Sequence, residues 1–281
     1  MYDAAYRSDA APLQRATGGL SLRFRSRDGR VALADLWQSG CLKARFPRSF
    51  DPARAEAVQL NVGGGVAAGD RLDVAIAVED GASVTFAAQA AERFYRALPG
   101  AAPAVVRNAA AVAAGASLEW LPQETILFDR AALDRRLDVT LDAGARFLGL
   151  ESLVFGRAAM GETVERVALR DLTRIRRAGR LILHDAIRLE GEAAATLSRP
   201  AIANGARAIA TLVQVAPEAE AMAAPLRAAL ADAPAECGVS AWDGMLLSRI
   251  VAPDGAALRA AVVTALAVLR EGRALPRVWM C

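Results

Sequence analysis

The chain has 281 residues, 54% hydrophobic and 23% charged, which is enough apolar material for a sizeable core and too much for a disordered chain. Its net charge of +3 rests on guanidinium groups, because Lys43 is the only lysine, and no long basic run with interleaved aromatics points to nucleic acid. Three dispersed cysteines (Cys41, Cys237, Cys281) argue against a disulfide framework or a zinc knuckle and favour a reducing compartment, so a cytoplasmic location is expected.

The chain opens with MYDAAYRSDAAPLQRA, which has no apolar h-region, so no signal peptide is expected. Leu20, Leu22 and Phe24 then alternate with polar residues, Asp28-Gly29 supplies a turn, and Val31 and Leu33 resume the alternation. That pattern predicts a β-hairpin. A strand over residues 57–62 leads into a glycine loop, NVGGGVAAGD, at residues 61–70. Gly63, Gly65 and Ala68 fit the spacing G-x-G-x-x-A, but a dinucleotide fingerprint needs a helix after the loop. Here Leu72, Val74, Ile76 and Val78 alternate over DRLDVAIAV, which predicts a strand, and no GK[ST] follows. The loop is therefore read as a tight turn whose glycines let two sheets approach closely.

Farther on, EDGASVTFAAQ, AAGASLEWLPQE and DAGARFLGLESLVFG each set Gly-Ala between two strand-like runs. The recurring turn glycines, Gly81, Gly115 and Gly144, suggest stacked hairpins or rungs. Another turn is expected at Ala178-Gly179, before the strand RLILHDAIRLEG. The last third is different. Residues 217–231 read as an alanine-rich helix that Pro225 breaks or kinks. A hairpin through Trp242-Asp243-Gly244 follows, then a helix capped by Asp254, running to about Arg270 and ended by Gly272. Apolar runs such as residues 260–269 fall well short of the roughly 20 residues that span a bilayer. The sum is one mainly β domain over residues 1–281, built of stacked strands or hairpins, with two α-helices near the C-terminus and no dividing linker.

Few residues offer chemistry. His184 is the only histidine, and its strand neighbours Ile182, Ala186 and Arg188 suggest a structural role. No serine sits in a G-x-S-x-G elbow and no cysteine has a nearby histidine, so no catalytic residue is expected. One histidine and three scattered cysteines cannot form a store for a transition metal that prefers imidazole and thiolate donors. Two carboxylates do stand on apolar faces. Asp185 alternates with Leu181, Leu183, Ile187 and Leu189, and Glu151 shares a face with Phe147, Leu153 and Phe155. Each needs a partner or a wet cavity; a buried ion pair to an arginine such as Arg157 is the plain reading.

An ordered set of segments resembles the urease accessory protein UreD family, called UreH in some organisms. The glycine loop fits N-x-x-G-G-[VLI]-x-x-G-D through Asn61, Gly64, Gly65, Gly69 and Asp70. SGCLKARFPR at residues 39–48 looks like an early family strand, and Phe94-Tyr95-Arg96 fits its [FV]-Y-R. LEWLPQETILF at residues 118–128, with Trp120, Pro122 and Gln123, is close to the family's most recognisable stretch. ESLVFGRAAMGE at residues 151–162 fits E-x-x-x-x-G-R-x-x-x-G-E through Glu151, Gly156, Arg157, Gly161 and Glu162. The ending LPRVW, with Pro276, Arg277 and Trp279, fits P-R-[VIL]-W. Val62-Gly63 and Arg93 depart from the usual family residues. The resemblance implies a β-rich stack of helical topology with two helices, and a non-catalytic chaperone. Such a protein binds apo-urease on one side and UreF and the GTPase UreG on the other, with nickel passing transiently and no tightly bound cofactor. In that setting Asp70, Glu151 and Asp185 are candidates to line a water-filled passage for a hydrated divalent cation. The rivals are a polysaccharide-cleaving β-stack hydrolase or lyase using paired acids such as Asp70 and Glu151, and a metal-independent adaptor. Val278, Trp279 and Met280 are expected either to meet a partner or to form a last strand on the core.

Overall fold

A computed structural model of the chain describes residues 14–48, 51–157 and 160–280. The readings of the first thirteen residues, of Ala158-Ala159 and of Cys281 lie outside the described residues. The strands are β1 (Thr17–Arg27), β2 (Arg30–Gly40), β3 (Leu42–Arg45), β4 (Arg54–Asn61), β5 (Arg71–Val78), β6 (Ser83–Ala88), β7 (Glu92–Phe94) and β8 (Ala104–Val112). They continue with β9 (Ser117–Leu121), β10 (Thr125–Leu127), β11 (Ala132–Leu141), β12 (Arg146–Phe155), β13 (Arg166–Arg177) and β14 (Arg180–Glu192). After helix α1 (Ala193–Leu197) come β15 (Ala208–Val215), α2 (Ala223–Ala229), β16 (Glu236–Trp242), β17 (Met245–Ala252), α3 (Gly255–Leu269) and a closing 3-10 turn, Arg277–Met280.

The strands build two sheets. The first runs β14-β13-β11-β8-β5-β1-β2 and the second β16-β17-β15-β12-β9-β6-β4-β3, with β10 and β7 continuing off β12. Strands β1, β5, β8, β11 and β13 are parallel neighbours, as are β4, β6, β9 and β12. The parallel order follows from the corners. Each step from β5 to β6, β8 to β9 and β11 to β12 crosses from the first sheet to the second through Gly81, Gly115 or Gly144, at φ of 65°, 67° and 76°. Those left-handed angles suit glycine. The spaced glycines therefore mark rung corners, and the mainly β, rung-stacked reading holds. Antiparallel hairpins close the ends, at Asp28-Gly29, Ala178-Gly179 and Trp242-Asp243-Gly244, as expected from sequence.

One hydrophobic core lies between the sheets and includes Leu22, Phe24, Phe86, Trp120, Leu137 and Leu169. A second lies on the outer face of the second sheet, where Leu150, Leu212 and Ile250 meet Leu226, Leu258, Leu266 and Trp279. The second sheet is thus covered on both faces, which explains why β9 and β15 are almost wholly buried instead of alternating.

The two helices expected near the C-terminus are α2 and α3, and among the described residues the short α1 after β14 adds a third. Two details differ. The expected helix over residues 217–231 shrinks to Ala223–Ala229, and Pro225 sits in its first turn, where the missing N–H has no partner to lose. The chain ends in a 3-10 turn, not a strand; Trp279 is 5% exposed and belongs to the core, while Met280 is 81% exposed. Helix α3 matches its expected bounds, with the Asp254 carboxylate accepting the Ala257 N–H at 2.9 Å.

Candidate functional site

The glycine loop is built as a platform for one ring. The Asn61 side chain accepts the Gly63 N–H at 2.9 Å, starting the turn. A Cβ on Gly65 would stand 2.5 Å from the Tyr95 ring, and the Tyr95 hydroxyl donates to the Gly64 carbonyl at 2.8 Å. The glycines therefore admit Tyr95 and not a second sheet, which corrects the expected cause of the close approach. Asp70 closes the loop: its two oxygens accept the Ala16 and Ala67 N–H groups, each at 2.8 Å. It is buried and fully engaged with backbone.

Beside this platform a cavity of about 290 Å³ opens between the sheets. Asn61, Gly64, Gly65 and Glu92 stand at the loop end, and Trp120, Gln123, Thr125, Arg135 and Glu151 stand deeper. Glu92 is half-buried and receives the Asn61 amide at 3.0 Å. Burial pushes its carboxyl above the usual range, with the Asn61 and Arg93 hydrogen bonds pulling the other way. A second, much smaller cavity of about 20 Å³, room for roughly one water, is lined by Glu151, Asp171, Asp185 and Thr211 among apolar side chains. Glu151 is the wall residue that the two cavities share.

Between them lies a charged clasp. Arg135, on β11, grips Asp171 of the neighbouring β13 with Nε and Nη2 at 2.9 and 2.6 Å. Its Nη1 donates to Thr125 at 2.8 Å and stands 2.7 Å from Glu151 Oε2. That last contact is ionic without hydrogen-bond geometry, so Oε2 accepts no hydrogen bond. The other Glu151 oxygen takes the Trp120 indole N–H at 2.9 Å, and Trp120 is itself held by stacking on Phe86 at 4.6 Å. Burial raises the Glu151 carboxyl, Arg135 pulls it down and Asp171 adds to the rise, leaving it above the usual value. At the far end Asp185 pairs with Arg249, which also reaches Thr211 at 3.4 Å and is 43% exposed.

The three predicted carboxylates thus divide. Glu151 and Asp185 line the same small cavity, while Asp70 lines neither of the two and serves as a backbone clamp. Asp70 and Glu151 line no common cavity, and both oxygens of Asp70 are taken by backbone N–H groups. The ion-pair reading of Glu151 and Asp185 was right in kind and wrong in partner: Arg135 and Arg249 are the cations, and Arg157 instead binds Glu162 at 2.8 Å while lying 4.2 Å over Phe128. His184 is exposed on the outer face of β14, contrary to the packed structural role expected for it. Sequence reasoning missed Glu92, Arg135 and Asp171. The last two carry the signal that found Glu151: Arg135 alternates with Leu133, Leu137 and Val139, and Asp171 with Val167, Leu169 and Ile175.

The remaining motif residues are pins. Gln123 donates to the Val278 carbonyl at 2.6 Å and accepts from Arg259 at 2.8 Å, and the Trp279 indole donates to the Leu121 carbonyl at 3.2 Å. The segment LEWLPQE therefore holds the chain ending LPRVW. Gly156 and Gly161 take φ of 81° and 66°, and Glu162 returns to the Asp129 and Arg157 N–H groups at 3.2 Å each.

The family model described as "UreD urease accessory protein" matches residues 16–280. The chain is 47% identical to the urease accessory protein UreD of Dinoroseobacter shibae over 268 residues, covering 95% of this chain and 93% of that protein. It is 47% identical to the UreD of Cereibacter sphaeroides and 44% identical to that of Rhizobium etli, in both cases covering 95% of this chain and 96% of the relative.

Proposed function

This chain belongs to the UreD family of urease accessory proteins, and from that premise we propose that it is a non-catalytic chaperone that supports nickel insertion into urease. In this reading it binds apo-urease, acts in the cytoplasm with UreF and the GTPase UreG, and carries nickel as transient cargo with no tightly bound cofactor. The observation that supports a direct part in metal transfer is the polar seam between the sheets. It begins at Glu92 beside the glycine loop, passes Glu151 and Asp171, and ends at Asp185 near the surface. Its amide side chains and carboxylates are oxygen donors, which hold a hydrated cation loosely compared with imidazole or thiolate. Among the described residues no three His, Cys, Asp or Glu side chains are grouped to hold a metal ion. A cation in the seam would keep water in its shell and move on. No helix among the described residues is long and apolar enough to cross a membrane.

The test is to pull down the chain with apo-urease and UreF, then titrate the complex with nickel while following urease activation. Glu151→Ala and Asp185→Ala are expected to keep both partners and to slow activation about tenfold or more, the usual size of an effect at a ligand's supporting shell. Folded variants that activate at the wild-type rate would remove the seam from the pathway. Partner binding with no dependence on nickel would favour a bare adaptor.

A further inference from the structure

Arg135 is out of place in a path for cations. It is 6% exposed, lines the larger cavity beside the shared wall residue Glu151, and puts a permanent positive charge where a divalent ion would have to pass. Resting on the proposed role of the seam, we propose that Arg135 is an internal counter-ion, which a passing divalent cation must displace from Glu151 and Asp171. The charges give the reason. With the guanidinium in place the two carboxylates and Arg135 sum to one negative charge; adding a divalent ion would leave the site at one positive charge with two cations side by side. With the guanidinium withdrawn, the same ion neutralises both carboxylates. In a buried, poorly screened site that difference favours exchange over co-occupancy.

The geometry provides for the exchange. Arg135 lines the larger cavity, and its Nη1 is already bonded to Thr125 in the wall of that cavity. Glu151 Oε2, in the wall shared by both cavities, is held by the ionic contact to Arg135 alone, so displacing the guanidinium frees that oxygen for a cation. Trp120 and the β12–β15 ladder hold Glu151 independently of Arg135, which reaches the site at the end of a long side chain. The exchange therefore moves the guanidinium and leaves Glu151 in place. The consequence is a waypoint whose affinity is kept low by its own arginine, so that cargo does not lodge there. Arg135 is here a positioning residue.

Nickel affinity of the purified full chain, read by calorimetry, tests this together with the rate of urease activation. Arg135→Gln is expected to bind nickel about tenfold more tightly, the scale of a coupling between two competing ligands, and to release it to urease more slowly. Arg135→Lys keeps the charge and loses the two-pronged grip on Asp171, so its affinity should fall between wild type and Arg135→Gln. Should Arg135→Gln fail to fold, Arg135→Lys carries the test alone. Unchanged nickel affinity in whichever folded variant is measured overturns the counter-ion role. A loss of activation in Glu151→Ala beside that result leaves the seam standing and removes only the counter-ion; wild-type activation in Glu151→Ala removes the seam itself.

Discussion

At the scale of single residues the two loop-end carboxylates do different work, although both lie close to the glycine turn. Asp70 spends both oxygens on backbone N–H groups from residues 16 and 67, tying the start of β1 to the loop. Hydrogen bonds to an ionised acceptor contribute about 1.5–3 kcal/mol each. Asp70→Ala should therefore cost about 3 kcal/mol and lower Tm by about 6 °C in a chain of this length. Thermal melting checks the cost, and nickel affinity should not move, because Asp70 lines neither cavity. A large drop in affinity with little change in Tm would return Asp70 to the cation path. Asp70→Asn, which keeps one acceptor oxygen, should recover part of the loss. Glu92 is the contrasting case, a carboxylate that burial disfavours and that faces open space. Nothing in its short strand, with only three residues, could have marked it in the sequence.

At the scale of elements, β9 shows how one strand serves two layers. Leu118 and Trp120 point between the sheets, while Glu119 and Leu121 point toward the helices. Glu119 is buried and held by Arg270 at 3.1 Å, Arg273 at 2.6 Å and the Thr85 hydroxyl at 2.7 Å, so the end of α3 is stapled to the second sheet. Burial would raise its carboxyl, but Arg270, Thr85 and Arg273 outweigh burial and hold it below its ordinary value of 4.5. The folded state thus binds that proton more weakly than the unfolded chain does, and the staple's stability is present above pH 4.5 and lost as pH falls through the lower folded value. Glu119→Gln should cost about 3–5 kcal/mol near neutral pH, as expected for breaking a buried ion pair. Melting temperatures of variant and wild type should converge as pH falls below 4.5 and through the lower folded value of Glu119; a constant difference over the whole range would deny Glu119 this role. Much at this scale was legible in the sequence. Period-two runs located β1, β5 and β14, Asp-Gly marked two of the hairpins and Ala178-Gly179 the third, and the spaced Gly-Ala pairs marked the rung corners. The parallel order was hidden because it depends on which strands meet after each corner. The clasp was hidden for a related reason: Arg135, Asp171 and Glu151 come from three strands on two sheets, so no window of sequence contains them. Treating inward arginines as inward carboxylates were treated would have exposed Arg135.

At the scale of the molecule, the two cores meet in the segment LEWLPQE, and that junction joins the seam to the chain's last turn. Gln123 lines the larger cavity and also donates to the Val278 carbonyl, while Arg259 of α3 bonds Gln123, Glu124 and the Trp279 carbonyl. The Arg259 guanidinium also lies 5.0 Å from the Trp279 ring, and the ring fills the outer core. Truncating a buried tryptophan costs about 3–5 kcal/mol. The loss should be uneven, because the rungs are held by parallel ladders and their own core, whereas α3 and the terminal turn depend on the outer core. Hydrogen exchange of Trp279→Ala should accordingly quicken across α3 and the terminal turn while β8 and β11 keep their protection. Because Gln123 loses its Val278 anchor in that variant, the larger cavity should loosen as well. Urease activation would then fall although Trp279 touches neither cavity, and cooling should restore it in step with the protection of α3. Equal loss of protection in rungs and helices would instead make the layers one cooperative unit, and the terminal turn would bear on nickel transfer only through global stability.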